Sequence, residues 1–245
     1  MQNILTIDCG NSSTKLAVWA GDELVEYVSQ TAVSAAEIEA LIARHDVGSA
    51  IIGSVVGNLR AVNQALSNTK VPLTKLSAAS SLPITVDYAT PATLGADRIA
   101  AAAGAYTQCK SMDPRDCLVV DIGTAITYDL VSAGGHFFGG NIAPGIGMRL
   151  RSLHQFTSAL PEIDSHGDLP ALLGNSTETA LRCGALYGVV GELTYYHAKL
   201  DSPRVVLTGG WCDDVARFLD FEVIIDKHLV CRGLKDILLA KQTQS

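Results

Sequence analysis

Ile4-Leu5-Thr6-Ile7-Asp8-Cys9-Gly10-Asn11-Ser12-Ser13-Thr14-Lys15 runs a hydrophobic strand into an acid, a glycine and a cluster of small polar residues. The pattern returns at Leu118-Val119-Val120-Asp121-Ile122-Gly123-Thr124-Ala125-Ile126-Thr127. Asp8 and Asp121 stand 113 positions apart (121 − 8), and the same offset separates Gly10 from Gly123 and Thr14 from Thr127. In a chain of 245 residues this is close to half the length. The spacing predicts two related halves, each presenting a carboxylate at a tight turn. Two such turns walling a cleft suit a nucleotide phosphate chain and its metal.

Working outward from the first copy, 2–7, 15–20 and 24–29 read as strands, with Gly21-Asp22 as the hairpin turn between the last two. Ser34-Ala35-Ala36-Glu37 is a capping box that opens a helix to about residue 45. A buried strand follows at 49–55, then a helix capped by Asn58 through 66, and a strand at 71–76. Around the second copy, strands at 117–120, 125–131 and 136–142 repeat the opening, with Ala133-Gly134-Gly135 as the turn. A long helix spans about 177–197. A strand at 204–207, a short helix near 213–219, a strand at 222–225 and a helix after Gly233 complete the chain. Three strands followed by alternating helix and strand, twice over, predict an α/β fold with mixed sheets. The polar stretch Met112-Asp113-Pro114-Arg115-Asp116 marks the boundary, giving domains 1–115 and 116–245. Neither a Gly-x-Gly-x-x-Gly turn after the first strand nor a Walker A sequence is present, so the fold is not of Rossmann or P-loop type.

Composition sets the remaining bounds. Hydrophobic residues make up 48% and charged residues 18%, the profile of a compact protein with ample core. A formal charge of −7 argues against nucleic acid or an anionic membrane as the main partner. An anionic ligand must therefore be captured by local features against the overall field. The six cysteines are scattered without a Cys-x-x-Cys pair, and no apolar run is long enough to span a bilayer. With no basic-then-apolar leader pattern at the N-terminus, the expectation is a cytoplasmic protein with reduced thiols.

Each motif admits a bland reading and a chemical one. Asp8 or Asp121 alone serves as a turn residue, since the neighbouring glycine makes a tight hairpin. Duplication favours phosphate binding: backbone N–H groups with hydroxyls of Ser12, Ser13, Thr14 or Thr124 hold phosphate oxygens. A carboxylate holds hydrated Mg²⁺, and Lys15 adds positive charge. At Thr93-Leu94-Gly95-Ala96-Asp97-Arg98, Asp97 complements a helix dipole in the bland reading, and Arg98 makes an ordinary ion pair. In the chemical reading Asp97 is a general base for a substrate hydroxyl, and Arg98 is a fork for a substrate carboxylate. The segment Gly139–Gly147 is a strand-to-helix junction where backbone approaches either a ligand or a neighbouring strand. Leu207-Thr208-Gly209-Gly210 is a similar junction, where a flat base can lie against backbone.

Taken together these motifs resemble the type III pantothenate kinases, a branch of the acetate kinase, sugar kinase, Hsp70 and actin superfamily. The resemblance rests on Asp8-x-Gly10-Asn11-x-x-x-Lys15, Leu94-Gly95-Ala96-Asp97-Arg98, Asp121-x-Gly123-Thr124-Ala125 and Gly139-Gly140-x-Ile142-x-Pro144-Gly145. Leu160-Pro161 and Asn175-Ser176-Thr177 extend it over nearly the whole chain. It implies two ribonuclease H-like domains with an ATP cleft between them, and a homodimer that helps to enclose the substrate pocket. By the same resemblance Asp8, Cys9, Gly10, Asn11, Ser12, Ser13, Thr14, Lys15 and Thr124 bind ATP. Asp8 also holds Mg²⁺ or another divalent cation. Asp121 ligates a monovalent cation, potassium or ammonium. Tyr88, Gly95, Ala96, Asp97, Arg98 and Thr177 hold pantothenate, with Asp97 as the base. The chain has Ser176-Thr177 where the family often has Asn-Thr. The implied reaction is ATP-dependent phosphorylation of pantothenate to 4'-phosphopantothenate, the first step of coenzyme A biosynthesis. Two alternatives stay open: another small-molecule or sugar kinase of the superfamily, and a nucleotide-binding regulator without turnover.

Overall fold

A computed structural model describes residues 2–10, 12–53, 59–77, 80–167 and 172–243. The chain begins β1 (Asn3–Cys9), β2 (Thr14–Ala20), β3 (Glu23–Gln30), α1 (Ala35–Arg44), β4 (Val47–Ile52), α2 (Arg60–Thr69) and β5 (Leu73–Lys75). It continues through β6 (Thr85–Val86), a 3-10 turn at Pro91–Thr93 and α3 (Ala96–Cys109). Next come β7 (Cys117–Ile122), β8 (Ala125–Val131), β9 (His136–Pro144), α4 (Ile146–Gln155) and α5 (Thr177–Lys199). Last are β10 (Arg204–Thr208), α6 (Cys212–Ala216), β11 (Val223–Ile225) and α7 (Leu229–Thr243). These elements form two compact units. The first contains Met1–Pro114, Val131–Phe138 and His228–Ser245, and the second contains Arg115–Leu130 and Gly139–Lys227.

The first unit is built on a five-stranded sheet of order β3-β2-β1-β4-β5. β1, β2 and β3 pair antiparallel, whereas β4 lies parallel to β1 and β5 parallel to β4. The second sheet has six strands, in the order β6-β9-β8-β7-β10-β11, and from β9 to β11 it repeats that arrangement, with β10 parallel to β7 and β11 parallel to β10. The duplicated hairpin sequence thus heads a duplicated sheet, and the chain is α/β with two mixed sheets.

Local chemistry explains the helices that flank the first sheet. The Ser34 hydroxyl accepts from the Glu37 amide at 3.3 Å, and the Glu37 carboxylate accepts from the Ser34 amide at 2.8 Å. Together they satisfy two N–H groups at the start of α1. The apolar stripe of α1 (Ile38, Leu41, Ile42) packs with Val62, Ala65 and Leu66 of α2 onto Leu5, Ile7, Leu16 and Val18. Each such side chain stabilises the unit by about 1.5–3 kcal/mol when taken from water. α2 has Leu59 at its cap with no side-chain hydrogen bond, and the expected cap Asn58 lies outside the described residues.

α3 crosses α7 at very short range. A Cβ on Gly233 would stand 1.7 Å from the Ala100 carbonyl oxygen, and one on Gly104 would stand 2.8 Å from that of Leu229. The expected helix start after Gly233 therefore moves back to Leu229, because Gly233 is an interior residue kept small by the crossing. Trp19 is fully buried, with its indole N–H donating to the Thr6 hydroxyl at 3.1 Å. Lys235, also buried, reaches Asp22 at 2.5 Å and Asp236 at 3.1 Å, tying α7 to the β2–β3 turn.

The glycine-rich junction of the second unit is tightly packed. A Cβ on Gly140 would lie 1.7 Å from the Tyr128 carbonyl oxygen of β8, and one on Gly145 would lie 2.2 Å from that of Gly123. Arg149 of α4 grips both oxygens of Glu192 at 2.7 Å, and Tyr128 donates to the same carboxylate at 2.9 Å. Among the described residues no helix is long and apolar enough to cross a membrane.

Candidate active site

The hairpin register sets Asp8 directly across from Lys15. Cys9 pairs with Thr14 next to them, and beyond that pair the Gly10 amide donates to the Ser13 carbonyl at 3.0 Å. Lys15 Nζ donates to the Asp8 carboxylate at 3.2 Å. Only 3% of Asp8 is exposed, whereas a third of the Lys15 side chain meets solvent. Burial pushes the Asp8 carboxyl above its ordinary 3.8, the Lys15 charge and hydrogen bond pull it back, and the charge of Asp97 pushes it up further. The first unit thus brings Asp8, Lys15 and Asp97 within electrostatic reach. The two acids and one ammonium leave a net negative charge here, which favours a cation.

The other turn residues divide by exposure. Cys9 is buried among the apolar side chains beneath the sheet, and burial raises its thiol, so its contribution to a ligand is confined to backbone. Gly10 and Ser12 are exposed, Ser13 and Thr14 are half-buried, and Asn11 lies outside the described residues.

Asp97 sits exposed in the first turn of α3, where its carboxylate accepts from the Arg98 amide at 2.9 Å. A Cβ on Gly95 would meet that carboxylate at 2.4 Å, so a glycine there leaves it room to fold back over the helix start. Arg98 is 6% exposed. Its guanidinium lies 5.7 Å from the centre of the Tyr88 ring and 5.9 Å from that of Phe137. Sequence reasoning named Tyr88 and missed Phe137, which reaches Arg98 from 39 positions away and shows no local pattern. Gly95 and Ala96 are half-buried.

In the second unit Asp121, next to last in β7, stands opposite Thr208 of β10. A Cβ on Gly209, whose φ is +87°, would come within 2.5 Å of the Asp121 carboxylate, so only glycine fits beside it. Thr124 is exposed, and its carbonyl accepts from the Gly145 amide at 3.0 Å. Thr177 opens α5 on the surface, behind a capping box made by Ser176 and Thr179.

Among the described residues no three His, Cys, Asp or Glu side chains group as a metal cage. Mg²⁺ is ordinarily held by one or two carboxylates with phosphate oxygens and water, and the Asp8 carboxylate fits as one such donor. A cavity of about 570 Å³ elsewhere in the first unit is lined by Thr107, Lys110, Arg232 and Lys235 among others. It includes none of the sequence-predicted residues, and its buried lysine is already paired with two carboxylates. The acids and the lysine singled out in the first unit lie instead at the β1–β2 turn and the start of α3.

A profile of the type III pantothenate kinases matches residues 4–199, a span that includes every one of these sequence-predicted residues. The chain belongs to the type III pantothenate kinase family. A Bacteroides fragilis (strain YCH46) protein bearing that name is 39% identical over 240 residues, 96% of each chain. One from Porphyromonas gingivalis (strain W83) is 36% identical over 242 residues, covering 96% of this chain and 97% of its own. Among solved structures, a conserved Campylobacter jejuni protein described as a candidate Baf family transcriptional activator is 26% identical. It superposes with a TM-score of 0.62 over 98% of this chain and 99% of that one. An inorganic polyphosphate/ATP-glucomannokinase from Arthrobacter sp. strain KM, 14% identical with a TM-score of 0.52 over the whole of both chains, shares the fold alone.

Proposed function

We propose that this chain transfers the γ-phosphoryl group of ATP to the primary hydroxyl of pantothenate, the first step of coenzyme A biosynthesis. The observation that carries the reading is the Asp8–Lys15 pair with Asp97 in its field, in a member of the type III pantothenate kinase family. The pantothenate hydroxyl oxygen forms a bond to the γ-phosphorus, and the bond from that phosphorus to the β,γ-bridging oxygen breaks. ADP leaves, and the hydroxyl proton passes to Asp97. Such transfers have a loose transition state, so positioning and charge neutralisation outweigh deprotonation.

Lys15 supplies fixed positive charge to the transferring group, and the N–H groups and hydroxyls of residues 10–14 donate to the phosphate oxygens. Asp8 would hold Mg²⁺ or another divalent cation, which would supply further positive charge to the phosphate chain. Arg98, with Tyr88 beside it, meets the acceptor carboxylate, and Thr177 adds a hydroxyl. Thr124 contributes to ATP, and Asp121 offers a carboxylate oxygen to potassium or ammonium. The protein works as a homodimer. Ile142, Phe156 and Leu173, which are 66%, 79% and 81% exposed on the second unit, give such an assembly an apolar surface.

A coupled ADP-release assay tests the reading, with pantothenate, potassium and magnesium omitted in turn. The proposal requires ADP release that depends on pantothenate. Equal release with a panel of sugars or other hydroxy acids favours a different acceptor. ATP binding without any acceptor-dependent turnover favours a nucleotide-binding regulator.

A further inference from the structure

β6 is only two residues long, and a strand that short has little hold of its own. Two backbone bonds join it to β9: the Thr85 amide donates to the Gly135 carbonyl at 2.8 Å, and the Asp87 amide to the Phe137 carbonyl at 2.9 Å. A third link comes from side chains, with His136 Nδ1 lying 2.7 Å from the Asp87 carboxylate. These residues flank the two rings that hold Arg98. Tyr88 follows Asp87 and Phe137 follows His136, with ring centres 6.2 Å apart and the guanidinium about equally far from both. The β8–β9 turn is itself fixed against α3, since a Cβ on Gly135 would stand 2.9 Å from the Tyr106 ring.

We propose that the Asp87–His136 pair is a clasp that positions Arg98 for the acceptor, by holding Tyr88 and Phe137 in register side by side against the guanidinium. This rests on the reading above that Arg98 meets the acceptor carboxylate. Neither clasp residue touches the reacting groups, so both are positioning residues. The side chains are 45% and 49% exposed, outside the apolar cores, and a polar contact this open contributes little to overall stability. Its effect is local. Loss of the pair frees β6 to drift from β9, which widens the spread of Tyr88 positions and blurs the fork that a carboxylate needs. The expected penalty is a threefold to fivefold weaker acceptor interaction, or about 0.7–1 kcal/mol at 1.4 kcal/mol per tenfold.

Steady-state kinetics on the full chain test this with Asp87→Ala, His136→Ala, the double variant, His136→Lys and Arg98→Lys. Each single alanine variant should raise the pantothenate KM about threefold to fivefold while kcat and the ATP KM stay within about twofold. The double variant should be no worse than either single, because both remove one link. His136→Lys restores a donor to the Asp87 carboxylate and should recover most of the loss. An unchanged pantothenate KM in the alanine variants, alongside a raised one in Arg98→Lys, overturns the clasp and leaves the acceptor reading intact. Multiplicative losses in the double variant, or kcat and ATP KM moving together with pantothenate KM, also overturn it. An unchanged pantothenate KM in Arg98→Lys overturns the role of Arg98 itself, and the clasp with it.

Discussion

Replacing Asp8 by Asn should make the protein more stable and far less active. At 3.2 Å the attraction between Asp8 and Lys15 is on the order of 5 kcal/mol at an effective dielectric of about 20. Burial nevertheless outweighs it, because the carboxyl sits above its ordinary 3.8, and Asp97 adds like-charge repulsion. Ionised Asp8 is thus a net cost to folding, the small difference between two terms of several kcal/mol. Neutralising it should stabilise, because the partner left behind, Lys15, is a third exposed and can be solvated. Lys15 keeps the Asn carbonyl as an acceptor and its own path to solvent. For a chain of this size, each kcal/mol raises the midpoint of thermal unfolding by about 2–4 °C.

The sign with pH follows from the raised carboxyl. The protonated acid is the form favoured in the folded state, so the wild-type advantage of protonation is fully present below 3.8 and is lost as pH rises through the folded value. The Asn variant should therefore gain most at neutral pH and converge on wild type as pH is lowered toward 3.8. Its turnover should fall by at least about 10²-fold, because charge beside the phosphates has gone. Thermal unfolding across pH, paired with coupled ADP release, measures both. A lower midpoint at neutral pH, or near-normal turnover, would refute the reasoning.

Lys15→Met should show the opposite stability effect, a loss of about 1–3 kcal/mol from stranding a buried carboxylate, with kcat down about 10²–10³-fold. The Asp8→Asn/Lys15→Met double variant should recover stability and not turnover, as unfolding curves and kinetics of all three will show. Gly233→Ala drives a methyl into the Ala100 carbonyl and should cost about 1–3 kcal/mol or more. Gly184→Ala in α5 meets nothing within 4 Å and should stabilise by about 0.5–1 kcal/mol in denaturant titration. If Asp121 holds a monovalent cation, replacing potassium with sodium should lower wild-type activity sharply and leave Asp121→Asn almost indifferent to the exchange. Equal rates in both salts for the wild type would remove that site.

Much of the architecture was legible in the chain because the signals were local. Gly21 supplies a positive φ of 61° at the β2–β3 turn, and Ser34 with Glu37 sets the start of α1 to the residue. The Asp8–Lys15 pairing follows from the hairpin register once the turn is known. Illegible features were set by distant partners. Gly233 reads as a helix breaker, yet it lies within α7 because Ala100, far earlier in the chain, presses on it. β6 is too short to show a two-residue period. Lys235 has its acid partner Asp22 213 positions away, and the Phe137 ring against Arg98 has no counterpart in any short motif. Asp97 was legible by type and place but not by surroundings: its local bond to the Arg98 amide fits the bland reading, and its field at Asp8 fits the chemical one.

The most direct trial follows phosphorus itself. With ATP and pantothenate present, ³¹P NMR should show the γ-phosphate signal of ATP falling as a phosphomonoester signal rises in equal amount. In Asp97→Asn the same conversion should slow by about 10²–10⁴-fold while ATP still binds. Inorganic phosphate as the sole new signal, or a phosphomonoester formed at the wild-type rate by Asp97→Asn, would contradict the account.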